Sequence, residues 1–350
     1  MKAAVIKGYG EAEKVFEYVE NFAKPQLGRD EVLVRVMATS VNPIDCRIRN
    51  GYGQRVFRKK RGFEFPLVMG SDTSGTVEQV GAGVRHVQRG DAVFAAPNVD
   101  GQGSYGEYRV LKAEYCVEKP AQLSFLEAAS IPYVAGTAWA ALVEKAGLNA
   151  GSARGKKVLV HGGSGGVGSF AVQLLKSWGA YVATTCSTAK VEWLRQLGAD
   201  QVIDYQLQDF TKELCDFDVV LDTVGGKNEA RSLQVLATHR NLDSQSGICS
   251  QYVSIITPVL GNIDQHGFVV GGIRSIATLI RKKRQCKKQG IGYHWAMYKA
   301  NTQALEEVKA LIEQGKIKPV IDKVYPLSQI AEAHCYVESG KACGKVVIEI

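Results

Sequence analysis

The sequence lacks cysteine pairs at functional spacing and apolar runs of transmembrane length. Its eight cysteines are scattered and include no C-x-x-C pair, so neither a zinc knuckle nor a thioredoxin-like redox motif is indicated. Free thiols indicate a reducing compartment. The first six residues enter a strand pattern directly, without the apolar region of a signal peptide or an Arg- and Ser-rich transit segment. We therefore expect a cytosolic protein.

The sequence is also short of acidic charge. The net charge is +8, and a basic protein attracts anions such as phosphorylated cofactors, nucleic acids or acidic lipids. Two clusters, at residues 58–61 and 281–288, hold many of the cations, and neither is interleaved with the aromatic side chains that a single-strand nucleic-acid groove needs. A solvated surface is the interpretation that we favour for both. Nucleic acid is thus not expected as a partner, and a membrane has only the charge in its favour.

The length and the strand pattern indicate two domains. A chain of 350 residues is long for one hydrophobic core. The first third reads as short strands separated by Gly, Pro, Asp and Asn, which favours a partly open barrel. The predicted strands there are residues 32–36, 75–80, 92–95 and 105–110.

From Val158 onward, strands alternate with helices, which is typical of a doubly wound parallel sheet. The strand at 157–161 leads into a helix at 166–178 that places Phe170, Leu174, Leu175 and Trp178 on one side. Further strands are predicted at 181–185, 201–203, 218–222 and 248–255. A helix is predicted at 274–289, with Ile276, Ala277 and Ile280 facing inward and a cationic end that complements the helix dipole.

The fold class is therefore α/β, a barrel domain joined to a Rossmann domain. The last predicted strands, 320–325 and 345–350, are expected to return to the first domain. The barrel domain is assigned to residues 1–129 and 305–350, and the Rossmann domain to residues 130–304. No histidine stands in a metal-ligand or Ser/His/Asp pattern, and His161 is expected to be a core residue.

The loop at residues 162–168 carries the firmest functional signal. Gly163, Gly165 and Gly168 satisfy G-x-G-x-x-G between a strand and a helix, which is the context that dinucleotide binding requires. The early glycines let the backbone approach a pyrophosphate, and the helix N-terminus offers N–H groups and a positive dipole end. The backbone of Ser164, Gly165, Gly166 and Val167 is therefore expected to bind the pyrophosphate.

The end of the next strand favours NADPH over NADH. NAD sites usually hold an acid there for the ribose 2′-hydroxyl, but residues 184–190 read Thr-Thr-Cys-Ser-Thr-Ala-Lys. A carboxylate would repel a 2′-phosphate, whereas Ser187 and Lys190 would bond to it and neutralise it. Lys190 as a solvated helix lysine is the alternative.

Several motifs give the chain a family resemblance over nearly its whole length. It resembles the medium-chain dehydrogenase/reductase superfamily, and within it the zinc-free quinone oxidoreductase branch. The motifs are Ser-Val-Asn-Pro-Ile-Asp at 40–45, Phe-Pro-Leu-Val-Met-Gly-Ser-Asp at 65–72, Ala-Gly-Thr-Ala-Trp at 135–139, the glycine loop, Ser-Ile-Ile-Thr-Pro at 254–258, Gly-Lys-Ile-Lys-Pro at 315–319 and Gly-Lys-Val-Val-Ile at 344–348. The resemblance implies a GroES-like catalytic domain, a Rossmann domain, an active site in the cleft between them, and possible dimerisation through the Rossmann sheet edge.

The resemblance also implies that a catalytic zinc is absent. Zinc-dependent relatives carry Cys where this chain has Asn42, and His-Glu where it has Ser71 and Asp72. A catalytic zinc needs about three N, O or S protein ligands, and Cys46 is a single thiol without partners. Without a Lewis acid, acceptors that take hydride readily are favoured, such as quinones, enones or enoyl thioesters.

The remaining site residues follow from the same resemblance. Asn42 is expected to hydrogen-bond the acceptor oxygen, with an Asx-turn role before Pro43 as the alternative. Tyr52 is a candidate proton donor or a packed surface residue, and Asp45 is expected to brace the loop. The cofactor set adds Tyr133 and Thr137 beside the nicotinamide, Tyr205 at the adenosine phosphate, Lys345 on the far side, and Val224, Ile255 and Thr257.

Three functions stay open at this point. An NADPH:quinone-type reductase is the leading hypothesis. A 2-enoyl-thioester or alkenal reductase, with Tyr52 as the acid and residues 58–61 holding coenzyme A phosphates, is the first alternative. An RNA- or membrane-associated binding protein that retains the cofactor fold is the second.

Overall fold

Two units fold from interleaved parts of the chain. The computed structural model describes residues 1–60, 63–99, 103–238 and 248–350, so Arg61 of the first basic cluster lies outside the described residues. The first unit comprises Met1–Gly136, Lys299–Gln314 and Pro319–Ile350, and the second comprises Thr137–Tyr298 and Gly315–Lys318. The chain passes into the second unit after Gly136 and leaves it after Tyr298. The sequence predicts these two boundaries after residues 129 and 304.

The strands are numbered along the chain. They are β1 (Ala3–Ile6), β2 (Phe16–Val19), β3 (Glu31–Val41), β4 (Leu67–Val68), β5 (Thr73–Val80), β6 (Ala92–Ala95), β7 (Tyr108–Lys112), β8 (Val117–Glu118), β9 (Lys157–Val160), β10 (Tyr181–Cys186), β11 (Gln201–Asp204), β12 (Val219–Asp222), β13 (Ser250–Ser254), β14 (Ile291–Trp295), β15 (Ile321–Pro326) and β16 (Lys345–Glu349).

The helices are numbered in the same way. They are α1 (Ala12–Val15), α2 (Pro43–Arg49), α3 (Gln54–Phe57), α4 (Phe125–Ala129), α5 (Pro132–Trp139), α6 (Gly166–Ser177), α7 (Val191–Gln196), α8 (Phe210–Glu213), α9 (Lys227–Val235), α10 (Val259–Lys287), α11 (Thr302–Glu313) and α12 (Ile330–Glu338). A π-helical turn, Ala140–Lys145, follows α5. By length and composition the stretch Phe125–Lys145 could cross a membrane, but 78% of its apolar 18-residue window is buried, as in a core helix.

The first unit is a GroES-like, partly open barrel. Its main sheet has the strand order β15-β16-β3-β5-β6-β8, and β7 also pairs with β3. The long strand β3 bends through irregular pairing with β5, which lets one strand contact β5, β7 and β16. The expected return of the last two strands is confirmed, because Val346 of β16 pairs with Val41. The core beneath is built from Val32, Val34, Val77, Val84, Val87, Val93, Ala95, Leu111, Ala113 and Cys116.

The second unit is a Rossmann fold. Its strands are parallel in the order β11-β10-β9-β12-β13-β14, which is the doubly wound order with a switch point between β9 and β12. Helix α6 buries Phe170, Leu174 and Leu175, and the residue that follows it, Trp178, is also buried, as the apolar spacing predicts. One core cluster of the sheet includes Leu159, Ile203, Phe217, Tyr252 and Tyr293.

The predicted direction of the helix at 274–289 is wrong. Those residues belong mostly to α10, which starts at Val259 and is broken at Gly267, where φ is 79°. Ile276, Ala277 and Ile280 are exposed rather than inward-facing. The packed face instead carries Gly271 and Ser275, whose small size allows the two halves of α10 to approach each other closely. Leu279 and Cys286 on this face contact the core of the sheet.

Candidate functional site

The glycine loop joins β9 to α6 through positions that a side chain could not occupy. Gly162 has a φ of 68°, which favours glycine. A Cβ at Gly163 would lie 2.0 Å from the hydroxyl oxygen of Thr184, and one at Gly168 would lie 2.2 Å from the carbonyl oxygen of Gly162. A Cβ at Gly165 would lie 3.5 Å from the carbonyl oxygen of Gly162, which is an ordinary contact distance. The loop therefore requires glycine at positions 162, 163 and 168, and position 165 is less crowded.

The opening of α6 suits an anionic ligand. Ser164, Gly165, Gly166 and Val167 are half-buried in the turn where the helix begins. The first backbone N–H groups of a helix have no intrahelical partner, and they carry the positive end of the helix dipole. The expected pyrophosphate-binding residues thus lie together, at the switch point of the sheet, and the cradle fits a dinucleotide.

The carboxyl ends of β12 and β13 form the next part of this edge. Buried Asp222 accepts hydrogen bonds from the backbone N–H of Val224 and of Gly225, at 2.9 and 2.8 Å, and from the Tyr252 hydroxyl at 2.6 Å. The N–H of Ile255 donates to the carbonyl of Asp222 at 3.1 Å. Val224, Ile255 and Thr257 therefore lie on the loops that end neighbouring strands, where cofactors bind in open α/β sheets.

His161, next to the glycine loop, is the core residue that the sequence predicts. It is fully buried, and its ring nitrogens lie 3.2 Å from the Thr185 hydroxyl and 2.9 Å from the Ser232 hydroxyl. Burial lowers its pKa to about 4, so the ring is neutral near pH 7. Its role is to join β9, β10 and α9.

The residues expected around the adenosine phosphate lie on two loops that hydrogen bonds join. The N–H of Tyr205 donates to the carbonyl of Cys186 at 3.0 Å. Both the N–H and the hydroxyl of Thr188 donate to Gln206, at 3.1 and 3.0 Å. The turn that carries Ser187 and Lys190 is thereby fastened to the end of β11, beside the exposed Tyr205. Ser187, Lys190 and Tyr205 thus come from two loops of the second unit that are tied together.

A buried polar network occupies the first unit, with Asp72 at its centre. One carboxylate oxygen of Asp72 accepts from the backbone N–H of Tyr133 at 2.7 Å. The other accepts from the Ser40 hydroxyl at 2.5 Å and from the Asn42 amide at 2.8 Å. The ammonium of Lys345 lies 3.4 Å from that same oxygen and donates to Asn42 Oδ1 at 2.5 Å. Asn42 is therefore held between a cation and an anion.

Asp45 forms a second layer of the network. It accepts from the backbone N–H of Asn42 at 2.8 Å and from the Ser71 hydroxyl at 2.7 Å. Burial raises its pKa to about 6, against the opposing effect of these two hydrogen bonds and of Lys345. Its contacts hold the start of α2 against the segment before β5, which matches the bracing role expected for it.

The raised pKa of Asp45 predicts a pH-dependent stability. The folded-state pKa of about 6 exceeds the unfolded value near 3.8, so the folded state binds the proton more tightly. Proton binding by Asp45 therefore stabilises the folded state fully below about pH 4, and this contribution is lost as the pH rises through about 6. The free energy of unfolding changes by about 3 kcal/mol. Urea unfolding from pH 4 to 8 should show Asp45→Asn flatter than the wild type. Glu64→Gln, at an exposed carboxyl, should follow the wild-type curve; a parallel Asp45→Asn curve would contradict the assignment.

Of the other residues expected in the site, Tyr133 contacts the polar network through its backbone, and the hydrogen bonds described above do not involve Tyr52 or Thr137. Tyr52 is half-buried in the turn after α2, and its ring centre lies 3.9 Å from the Arg47 guanidinium, a cation–π contact. Tyr133 touches the network through its backbone, as given above, and the buried Thr137 lies one turn further along α5. The proton-donor role of Tyr52 stays a prediction.

Sequence reasoning missed three members of the first unit's polar core. Asp72 was considered only as the replacement of a zinc ligand, Ser40 only as part of a motif, and Arg109 was not identified. Arg109 is buried and donates to the carbonyl of Ser71 at 3.1 Å and to the hydroxyls of Thr73 and Ser104, both at 2.8 Å. A small, partly open pocket lies here, with polar groups from Asp45, Ser71 and Arg109. Its described apolar lining comes mainly from Ile48, Phe63, Leu67, Val68, Met69, Pro97 and Val99.

Comparison with known families supports the assignment of both domains. Residues 28–121 match the alcohol dehydrogenase GroES-like domain, and residues 197–348 match the zinc-binding dehydrogenase family. The whole chain is 40% identical to the NAD(P)H oxidoreductase RTN4IP1, mitochondrial, of Mus musculus, and covers 89% of it. It is 34% identical to the 2-methylene-furan-3-one reductase of Solanum lycopersicum, over 99% of this chain and 79% of that protein.

A solved structure agrees with these relatives. The quinone oxidoreductase from Coxiella burnetii matches with a TM-score of 0.82 at 30% identity, over 100% of this chain and 99% of that one.

The expected cytosolic location is wrong. The RTN4IP1 relatives that are 34–40% identical, among them those of Mus musculus and Drosophila melanogaster, are named as mitochondrial, which points to mitochondria. The thiol argument indicates only that the compartment is reducing, and it does not distinguish one reducing compartment from another.

The fold, the dinucleotide cradle and the relatives agree on the class of the protein. The chain belongs to the medium-chain dehydrogenase/reductase superfamily, in the branch of the RTN4IP1-type NAD(P)H oxidoreductases, and is an oxidoreductase that uses a nicotinamide cofactor and a small-molecule acceptor.

Proposed function

We propose that the enzyme uses NADPH to reduce a quinone or a similar activated carbonyl acceptor, and that it does so without a catalytic zinc. The observation that carries this proposal is the Lys345 ammonium beside Asn42 and Asp72. In zinc-dependent relatives the positions of Asn42, Ser71 and Asp72 hold metal ligands. Here a protein cation lies among them.

The residues at these positions do not fit a zinc ion. Both oxygens of Asp72 already accept hydrogen bonds, and the Ser71 hydroxyl donates to Asp45. Burial raises the pKa of the Cys46 thiol, whereas zinc binds the thiolate. A divalent ion placed here would also meet the Lys345 ammonium, and like charges at such distances repel strongly in a buried setting.

Lys345 and Asn42 provide the donors that an oxygen acceptor needs. A reduced nicotinamide, when bound, supplies the hydride, and the acceptor oxygen then gains negative charge. An ammonium has three donor hydrogens, of which two are directed to Asn42 and Asp72. We assign the third to the acceptor oxygen, where it stabilises the developing charge. The second amide hydrogen of Asn42 is assigned to the same oxygen.

The Solanum lycopersicum relative extends the range of acceptors to consider. It is named as a 2-methylene-furan-3-one reductase, and such a compound is a conjugated enone. Quinones and enones share a carbonyl conjugated to a double bond, so hydride addition to either leaves negative charge on an oxygen. Conjugated enones therefore belong in the same test.

The acceptor class is tested with the purified enzyme. NADPH oxidation is followed with a naphthoquinone, with an alkenal and with crotonyl-CoA, each with and without EDTA. We expect turnover of the quinone that EDTA does not change. Turnover of crotonyl-CoA alone would favour the enoyl-thioester alternative, with Tyr52→Phe as its diagnostic variant. Loss of activity in EDTA that added zinc restores would refute the zinc-free proposal.

NADPH preference is assigned to the surface formed by Ser187, Lys190 and Tyr205. No Asp or Glu ends β10, so a 2′-phosphate meets a hydroxyl and an ammonium instead of a carboxylate. A hydrogen bond to a charged group contributes about 1.5–3 kcal/mol. The hydrogen bonds between the two loops support this assignment because they hold together the segments that carry these three residues.

Lys190→Ala should therefore raise the KM for NADPH about tenfold or more while leaving the KM for NADH within about twofold. Steady-state kinetics with both cofactors measures this. Lys212→Ala, at an exposed lysine of α8, is the matched control and should change neither value. An equal rise for NADPH and NADH would show that Lys190 does not read the 2′-phosphate.

A further inference from the structure

The second half of α10, residues 268–287, leaves most of its large apolar side chains exposed, although Leu279 packs against the core of the sheet. Its inner face carries Gly271, Ser275 and Cys286, which are buried, and Lys282, which pairs with Glu229. The amide of Asn262, in the first half of α10, donates to the Ser275 hydroxyl at 2.9 Å. A Cβ at Gly271 would lie 2.4 Å from the carbonyl oxygen of Asn262. The small residues therefore fix which side of this half-helix is covered.

The outer face consists of large apolar side chains. Val269, Ile273, Ile276 and Ile280 are 73%, 62%, 61% and 44% exposed. Their spacing of four, three and four residues places them in one stripe along the helix. Single exposed apolar residues are ordinary, but a contiguous stripe of this kind marks an interaction surface.

The same half-helix ends in concentrated positive charge. Residues 268–288 include seven Lys and Arg and no Asp or Glu. Arg281, Lys283, Arg284, Lys287 and Lys288 are exposed. The apolar stripe thus leads into a basic end, and the combination is that of helices that lie in the interface of an anionic membrane. Interaction with the helix dipole would explain one or two cations in the last turn of α10. It would not explain the apolar stripe next to them.

We propose that this outer face of α10 docks on an anionic phospholipid bilayer. The isoleucines and the valine enter the boundary between headgroups and acyl chains, and the basic end lies against the phosphates. Charge complementarity favours this occupant over a second copy of the chain. A second copy that docked through the same half-helix would present no Asp or Glu from residues 268–288, so the cations at the contact would meet no carboxylate from that segment.

The proposal is tested by sedimentation with vesicles, which requires no catalytic turnover. The full-length protein is mixed with vesicles of phosphatidylcholine alone, or with vesicles in which phosphatidylserine replaces part of it. We expect binding only to the second kind, and steep weakening as salt shortens the Debye length from about 10 Å at 0.1 M to about 3 Å at 1 M. The double variant Ile273→Gln/Ile276→Gln should bind at least about tenfold more weakly. Lys283→Glu/Lys287→Glu should lose a similar factor.

Matched controls separate docking from folding. Leu207→Gln changes another exposed apolar residue of the second unit, and Lys212→Glu reverses a charge elsewhere; both should bind as the wild type does. All variants should keep the wild-type melting temperature and Kd for NADPH.

Three results would overturn the proposal. The first is equal sedimentation with neutral and anionic vesicles, or none with either. The second is a concentration-dependent dimer that the Ile273→Gln/Ile276→Gln variant disrupts while vesicle binding is unchanged, which would assign the face to a second copy. The third is salt-sensitive binding of RNA that needs the lysines and not the isoleucines, with no binding to vesicles.

Discussion

Replacing Gly168 with alanine should abolish cofactor binding and destabilise the second unit. The added Cβ would lie 2.2 Å from the carbonyl oxygen of Gly162 and 2.7 Å from the Cα of Gly163. Both are backbone atoms, so no side-chain rotation relieves the contact, and the loop must move away from α6. We expect the Kd for NADPH to rise at least about a hundredfold and the free energy of unfolding to fall by about 1–3 kcal/mol. Fluorescence titration and urea unfolding measure the two effects.

Substitutions at two other glycines separate the effect on cofactor binding from the effect on stability. Gly165→Ala adds a Cβ at an ordinary contact distance of 3.5 Å, so it should weaken NADPH binding without loss of stability. Gly272→Ala lies on α10 with no atom within 4 Å of the added Cβ, and it should leave binding unchanged and stabilise by up to about 1 kcal/mol. Wild-type affinity in Gly168→Ala would refute the assignment of the loop.

The second unit was predictable because its signals are local. Five of the six strands described in its sheet read as short runs in the sequence, α6 has one apolar face, and the glycine loop lies between β9 and α6. Strand β14 was not predicted. The order of the strands then follows from the few connections that a right-handed parallel sheet allows. These features depend on residues close together in the chain, so a sequence shows them directly.

The error in α10 has a different cause. Periodicity shows that Ile273, Ile276 and Ile280 share a face, but it does not show what that face meets. The direction is set by the break at Gly267 and by Gly271 and Ser275, which pack on the first half of the helix. Small residues carry little hydrophobic signal, so a prediction based on apolar spacing chooses the wrong face.

The polar network of the first unit depends on contacts across the whole chain. Val41 pairs with Val346 in antiparallel strands β3 and β16, which brings the next residues, Asn42 and Lys345, side by side. Family motifs indicated each residue separately, but strand register between distant segments is not a local property. The pairing of Lys345 with Asn42 and Asp72 could therefore be found only in the structure.

Lys345→Met should produce the largest loss of activity. Methionine keeps much of the side-chain length but removes the ammonium, so Asn42 Oδ1 and Asp72 lose their cation. Loss of one donor to a developing oxyanion costs about 10²–10³ in kcat. Breaking a buried ion pair costs about 3–5 kcal/mol of stability. Turnover with a quinone and urea unfolding measure the two losses. Lys156→Met breaks the more exposed pair with Asp218 and should cost less than about 1 kcal/mol.

A second substitution distinguishes catalysis from packing at Lys345. Asp72→Asn in the Lys345→Met background removes the uncompensated carboxylate, so stability should recover in part while kcat stays low. Recovery of kcat together with stability would show that Lys345 only supports the fold. The Kd for NADPH in the same variants tests the cofactor contact that the family resemblance implies. A Kd within about threefold of the wild type, a difference below about 0.7 kcal/mol, would assign the ammonium to the acceptor, because a lost cofactor contact must weaken binding before any hydride is transferred.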